Sequence, residues 1–224
     1  MALKKVPVKK LIEYRTLPKE RRSGFVNRLS TPKLPTGGGG NYWVRSISAI
    51  SNAFKKNDNS LILDKINEIM ELYDVNQHVP TKIMYERNIN ILNKYKNFDF
   101  EIWRPTVNLD FLNKKPDSIL EMSGLPIQIR PNHIFKYGAR NNRSIGGIWF
   151  VTRLEGYGIA DLGIYSEALY RYLSSYFSKD YIINASACIV INISSGDFIS
   201  YNDILDEQIP SLLDPTLKLF RESL

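Results

Sequence analysis

The sequence is poor in the residues that build disulfides, metal centres and membrane spans. Its 224 residues include one cysteine, Cys188, and two histidines, His78 and His133. A single cysteine excludes a disulfide within the chain and a thiolate zinc site. With so few histidines, a mononuclear His/Cys metal centre lacks ligands. No apolar run approaches the ~20 residues of a membrane-spanning helix, and no apolar signal segment follows the basic start. The expectation is a cytoplasmic protein with no membrane contact and no cofactor. Catalytic fingerprints are missing too. There is no Gly-x-Ser-x-Gly nucleophile elbow, and the four glycines at 37–40 lack the Gly-Lys-Ser/Thr ending of a phosphate loop. Gly156-Tyr157-Gly158 is too short for a dinucleotide fingerprint.

Hydrophobic residues make up 43% and charged residues 24%, a globular balance. The charge is uneven. Residues 1–36 carry ten lysines and arginines against Glu13 and Glu20, a net +8, while the whole chain is +7. The remaining residues are therefore nearly neutral, and from Asp197 onward six acids oppose Lys218 and Arg221. A basic segment of this kind suits phosphate neutralisation on nucleic acid, an acidic protein surface, or plain solvation. With only Tyr14 and Phe25 as aromatics, it is not a base-stacking strip, so it would serve affinity and not sequence choice.

Pro7, Pro18, Pro32 and Pro35 with no sustained apolar period predict an extended, basic Pro/Gly-rich arm and hinge over residues 1–40. A single α/β (α+β) domain is expected from residue 41 to 224. Apolar residues at helical spacing predict helices over Val44–Phe54, Leu61–Tyr73 and Thr81–Tyr95, with Asn59 or Ser60 capping the second. A short strand is expected within Thr106–Phe111. Three strands in a meander follow, at Ile119–Met122, Ile127–Tyr137 and Ile145–Arg153. An amphipathic helix over Ser166–Phe177 then leads to a returning, buried strand at Ala187–Ile193. Phe198–Tyr201 continues the sheet, and the tail with Pro210 and Pro215 reads as one or two short helices. Cys188, inside the apolar strand, reads as a small core hydrophobe, and His133 as a hydrogen-bonded structural histidine. Trp149 belongs to the core, although on a strand it points opposite to Ile148 and Phe150. The tyrosines at 165, 170, 172, 176 and 181 spread around the late helix, which predicts one face on the sheet and another on a partner, a second copy or a different subunit.

Helix, three strands, helix, strand resembles the core order of the restriction-endonuclease-like, or PD-(D/E)XK, nucleases. That family places Pro-Asp on its second strand and acidic-x-Lys on its third. The matching positions here read Arg130-Pro131-Asn132 and Gly147-Ile148-Trp149. The proline agrees, but asparagine, glycine and tryptophan stand where the metal-binding acids and the lysine would be. Phosphodiester hydrolysis needs carboxylates for Mg²⁺ and a cation for the phosphate, so the resemblance implies a degenerate site. Sites in that family migrate, and Glu121, Lys136, Asp110 and Glu101 are the available stand-ins; their alternative role is solvated surface charge. The segments TPKLPTGGGGNYW, GLPIQIRP and GGIWF also look like pieces of an uncharacterised bacterial protein group, which implies no activity.

The expectation that follows is a bacterial-type, non-catalytic accessory protein that binds nucleic acid, DNA or RNA, or a nucleoprotein complex. Phosphate contacts are expected from Lys4, Lys5, Lys9, Lys10, Arg21 and Arg22 in the arm, with Arg130, Arg140 and Arg143 along the meander. Two alternatives stay open. One is an active metal-dependent nuclease with a migrated site, and the other a protein-interaction module whose arm meets an acidic partner surface, in a homo- or hetero-oligomer.

Overall fold

The computed structural model describes residues 5–30, 42–106, 108–113, 116–139 and 143–224. The helices of the first half follow their apolar periods: α3 (Val44–Lys56), α4 (Ser60–Val75) and α5 (Val79–Tyr95). Asn59 occupies the N-cap of α4 but makes no capping bond there; Asp58 Oδ1 accepts from Ser60 N at 2.9 Å instead. Asn59 Nδ2 donates to the Lys96 and Phe98 carbonyls, which ties this corner to the end of α5.

A five-stranded sheet forms the centre, in the order β2 (Asp110–Phe111), β5 (His133–Tyr137), β6 (Ser144–Val151), β7 (Ile182–Asn192) and β8 (Phe198–Ser200). β6 and β7 are parallel and joined by α6 (Ile159–Phe177), as a parallel pair requires a crossover. Alternation along the strands divides two cores. Ile145, Val151, Cys188 and Val190 face α6, while Ile148, Phe150, Ile189 and Ile191 face α3–α5. The result is an α/β fold of three layers, with helices on both faces of a mixed sheet. Among the described residues no helix is long and apolar enough to cross a membrane.

Two expectations are corrected. The N-terminal segment is not an extended arm. Val6–Pro7 forms a short strand, β1, followed by the helices α1 (Val8–Thr16) and α2 (Lys19–Ser30). Val8, Leu11 and Ile12 lie at i, i+3, i+4 and are fully buried with Tyr14 and Val26 in the α6-side core. The core therefore begins at Val6 and not at residue 41. Each such aliphatic side chain contributes about 1.5–3 kcal/mol on burial, which outweighs the mutual repulsion of exposed lysines and arginines on the other face. The glycines at 37–40 and the rest of the expected hinge lie outside the described residues.

The three-stranded meander is also corrected. Its second strand is two strands in different sheets: β4 (Leu125–Gln128) pairs with β3 (Ile119–Met122) and, in parallel, with β1, while β5 joins the central sheet. The break falls at Pro131, which has no N–H for a ladder. Asn132 bridges it: its N–H donates to Ile148 O at 3.0 Å and its Oδ1 accepts from Phe150 N at 2.8 Å. The tail forms α7 (Asn202–Leu205) and α8 (Leu213–Arg221). α8 packs on α1, where the Tyr14 hydroxyl donates to Leu219 O at 2.6 Å.

Candidate nucleic-acid interface

The residues at the resemblance positions have structural employment. Asn132 is the bridge just described. Gly147 faces α6, and a Cβ there would lie 3.1 Å from Leu169 Cδ1 and 3.2 Å from His133 O. A carboxylate has no room at this position without displacing a buried leucine. Trp149, two residues on and on the same face, is half-buried against Tyr165, with ring centroids 4.9 Å apart and edge-on.

Beside Trp149 the fold leaves a cavity of about 240 Å³. It forms where β1, the end of β4, the end of β6 and the start of α6 converge, closed on one side by Ile47 of α3. Trp149, Tyr157 and Tyr165 give it an aromatic wall, and Lys9 and Arg130 supply its cations; among the described residues no acid lines it. The hydroxyls of Tyr157 and Tyr165 lie 3.2 Å apart, and burial raises both pKa values, so the pair stays neutral. Arg130 is exposed, with Nε 3.4 Å from Ser118 Oγ. With the Gln128 amide turned to satisfy its neighbours, the Gln128 oxygen accepts from Arg130 Nη2 at 3.1 Å and Nε at 3.2 Å, which fixes the guanidinium. Thr152 is 5% exposed, lines the same cavity, and among the described residues its Oγ1 has no hydrogen-bond partner.

Lys9 also lines a larger cavity of about 750 Å³, together with Phe25, Trp43 and the acids Glu13 and Glu155. Two of the charged groups there, Glu13 and Arg153, are engaged. Lys10 pairs with Glu13 at 2.5 Å. Arg153 donates to Gly156 O and lies 3.5 Å from Asp161, holding the loop before α6 against its first turn.

The expected phosphate-contacting residues thus divide. Lys9 and Arg130 converge at one cavity, with Lys5 exposed one residue before β1. Arg22 is spent on the α1–α2 turn, donating to Leu17 O at 3.1 Å and Arg15 O at 3.3 Å over the Tyr14 ring. Arg21 is exposed on α2. Arg143 precedes β6, roughly 20 Å along the strand from Trp149 at ~3.3 Å per residue, in a separate cavity of about 350 Å³ with Lys136 and Asp110. Lys4 and Arg140 lie outside the described residues.

Of the four stand-ins for a migrated nuclease site, only Lys136 and Asp110 are brought together. Glu121 is exposed on β3, opposite Pro126, in the small sheet. Lys136 is on β5 of the central sheet, 3.0 Å from Asp110 across the β2–β5 ladder. Glu101 stands 3.5 Å from Asn57 Nδ2. Among the described residues no three His, Cys, Asp or Glu side chains gather as a metal site. His133 is structural: Nε2 lies 2.7 Å from Ser51 Oγ and 2.9 Å from Ser51 O, and its ring stacks on Phe54. Cys188 is fully buried, and burial pushes its thiol pKa up. Compared with protein-family models, with curated proteins and with solved structures, the chain matches none.

The sequence singles out Lys9 and Arg130 individually, while it assigns Trp149 to the core. It gave no sign of Thr152, Gln128 or Tyr157, because four separate elements deliver them to one place.

Proposed function

We propose that the protein is a non-catalytic nucleic-acid-binding protein that holds the phosphate backbone through Lys9 and Arg130, extended by Lys5 along the β1 edge. The observation that carries this reading is the meeting of Lys9 and Arg130 around an aromatic cavity lined by no acid among the described residues. Two cations from residues 121 positions apart, brought to one opening, favour an anionic ligand. The sequence net charge of +7 and pI of about 9.3 favour a polyanion over a small acid. The crowding at Gly147 and the structural use of Asn132 support the non-catalytic part. The nuclease-like ancestry of the core is part of the same proposal.

The test is fluorescence anisotropy with labelled DNA and RNA across a salt series, with Mg²⁺ added in parallel to score cutting. Binding is expected to be salt-steep. Lys9→Glu and Arg130→Glu each lower affinity for every sequence and reduce the salt slope by about 1. Indifference of both variants, or cutting by the intact protein in Mg²⁺, overturns the reading. Lys10→Glu is a useful comparison, because Lys10 is already paired with Glu13 and should matter less.

A further inference from the structure

We infer that the Trp149 cavity takes a single unpaired base of the bound strand, so that the protein prefers single-stranded to duplex nucleic acid. This rests on the nucleic-acid reading above and names the part of the ligand that enters. Four observations carry it. The volume, about 240 Å³, lies below the ~300–1,000 Å³ of pockets for drug-sized ligands but admits one planar ring system. The wall is aromatic, with the half-buried Trp149 held edge-on by Tyr165, which is the chemistry on which bases stack. Two exposed cations line it, Lys9 from the start of α1 and Arg130 from two residues beyond β4, and these would hold a sugar-phosphate backbone left outside when its base is turned inward. Finally, Thr152 lines this cavity and, among the described residues, its buried Oγ1 has no partner, against the general rule that buried polar atoms are paired. A hydroxyl both donates and accepts, and rotation of its hydrogen about the Cβ–Oγ1 bond lets it meet whichever group a base edge offers. The Tyr157 and Tyr165 hydroxyls share one hydrogen bond at 3.2 Å and so, unlike Thr152, already have a partner.

A base inside a duplex is stacked on both sides and paired along its edge, so entry would first require extrusion from the helix. A single strand pays little of that cost. The cavity therefore converts a sequence-blind phosphate grip into a preference for strandedness.

The experiment compares a labelled single-stranded oligonucleotide of about 15 nucleotides, within the ~4–16-nucleotide sites of single-strand binders, with the same sequence as a duplex. The probes are titrated into the intact protein, Trp149→Leu and Thr152→Val, with thermal melts of all three. The expected result is tighter single-strand binding by the intact protein. The single-strand-to-duplex affinity ratio should fall about ten-fold in Trp149→Leu and measurably in Thr152→Val. Thr152→Val keeps the side-chain shape and replaces an unpartnered hydroxyl, so its melting temperature should not fall; a large fall marks Thr152 as a packing residue and overturns its role. An affinity ratio near one, or one that neither variant moves, overturns the inference and leaves the phosphate-binding reading standing. Absence of binding to both probes overturns the two together.

Discussion

At the scale of single residues, the glycine pair at 146–147 shows how little space the sheet leaves. A Cβ on Gly146 would lie 2.5 Å from the Ala187 carbonyl oxygen, at the irregularity where β6 and β7 shift register. That neighbour is backbone and cannot step aside, so Gly146→Ala should destabilise by about 1–3 kcal/mol or more. Gly147→Asp, which would restore an acid at the resemblance position, forces a carboxylate against Leu169. Its expected cost is about 3–5 kcal/mol, read by denaturant unfolding. Trp103 presents the opposite case. It is 1% exposed among Phe98, Phe100 and Phe150, yet its Nε1 has no partner. Trp103→Ala should cost about 3–5 kcal/mol. Trp103→Phe should cost markedly less, because the smaller ring also removes an unsatisfied donor. The sequence shows the two glycines plainly, but what crowds them comes from residues 169 and 187. That contact is set by topology and not by local pattern.

At the scale of elements, α1 and α2 were the least legible part of the fold. Four prolines and the density of lysine and arginine pointed to an extended chain, although Val8, Leu11 and Ile12 already spell one helical stripe. Their partners are α6 and α8, more than 140 residues away, so the gain that makes the stripe a helix is invisible locally. Deleting residues 1–30 should therefore yield unfolded or insoluble protein by circular dichroism; it cannot report on binding alone. α3–α5 were legible because each carries its own apolar period. β4 and β5 were fused into one strand because both are apolar, and only Pro131 marks the break. The tyrosines around α6 are mostly met by this chain itself: Tyr170 stacks on Tyr201 at 4.0 Å, and the Tyr176 hydroxyl donates to Ile119 O. α6 is also tied to α8. Arg171 grips Asp214 with two bonds of 2.7 and 2.6 Å and also donates to the buried Glu167. The Arg171 hydrogen bond holds the Asp214 carboxyl below its ordinary 3.8. A depressed acid pKa stabilises the fold above the unfolded value, and that gain is lost as pH falls through the folded one. Asp214→Asn should thus lower stability at neutral pH by no more than about 1 kcal/mol, since the pair is largely exposed. The difference from the intact protein should close in melts taken progressively below pH 3.8.

At the scale of the whole molecule, tyrosines set the alkaline limit. Burial raises the pKa values of Tyr95, Tyr157 and Tyr165, and pushes Tyr172 up to about 12 from 10.0. A raised pKa on a group that is neutral when protonated leaves stability intact below the unfolded value of 10.0 and removes it as pH climbs toward the folded one. Melting temperature should fall steeply above pH 10, and tyrosinate absorbance should lag that of free tyrosine until unfolding releases it. The pairing of chain ends also bears on synthesis. β1 pairs with residues 127–128 and α1 packs on α6, but Tyr14 finds the Leu219 carbonyl only 205 residues further along the chain, so the docking of α1 is completed only once α8 is made. During synthesis the apolar stripe of α1 can settle first on β4 and α6, with its α8 side left open until residues 213–221 follow. The arrival of α8, and not the formation of α1, is the event that seals this corner of the core.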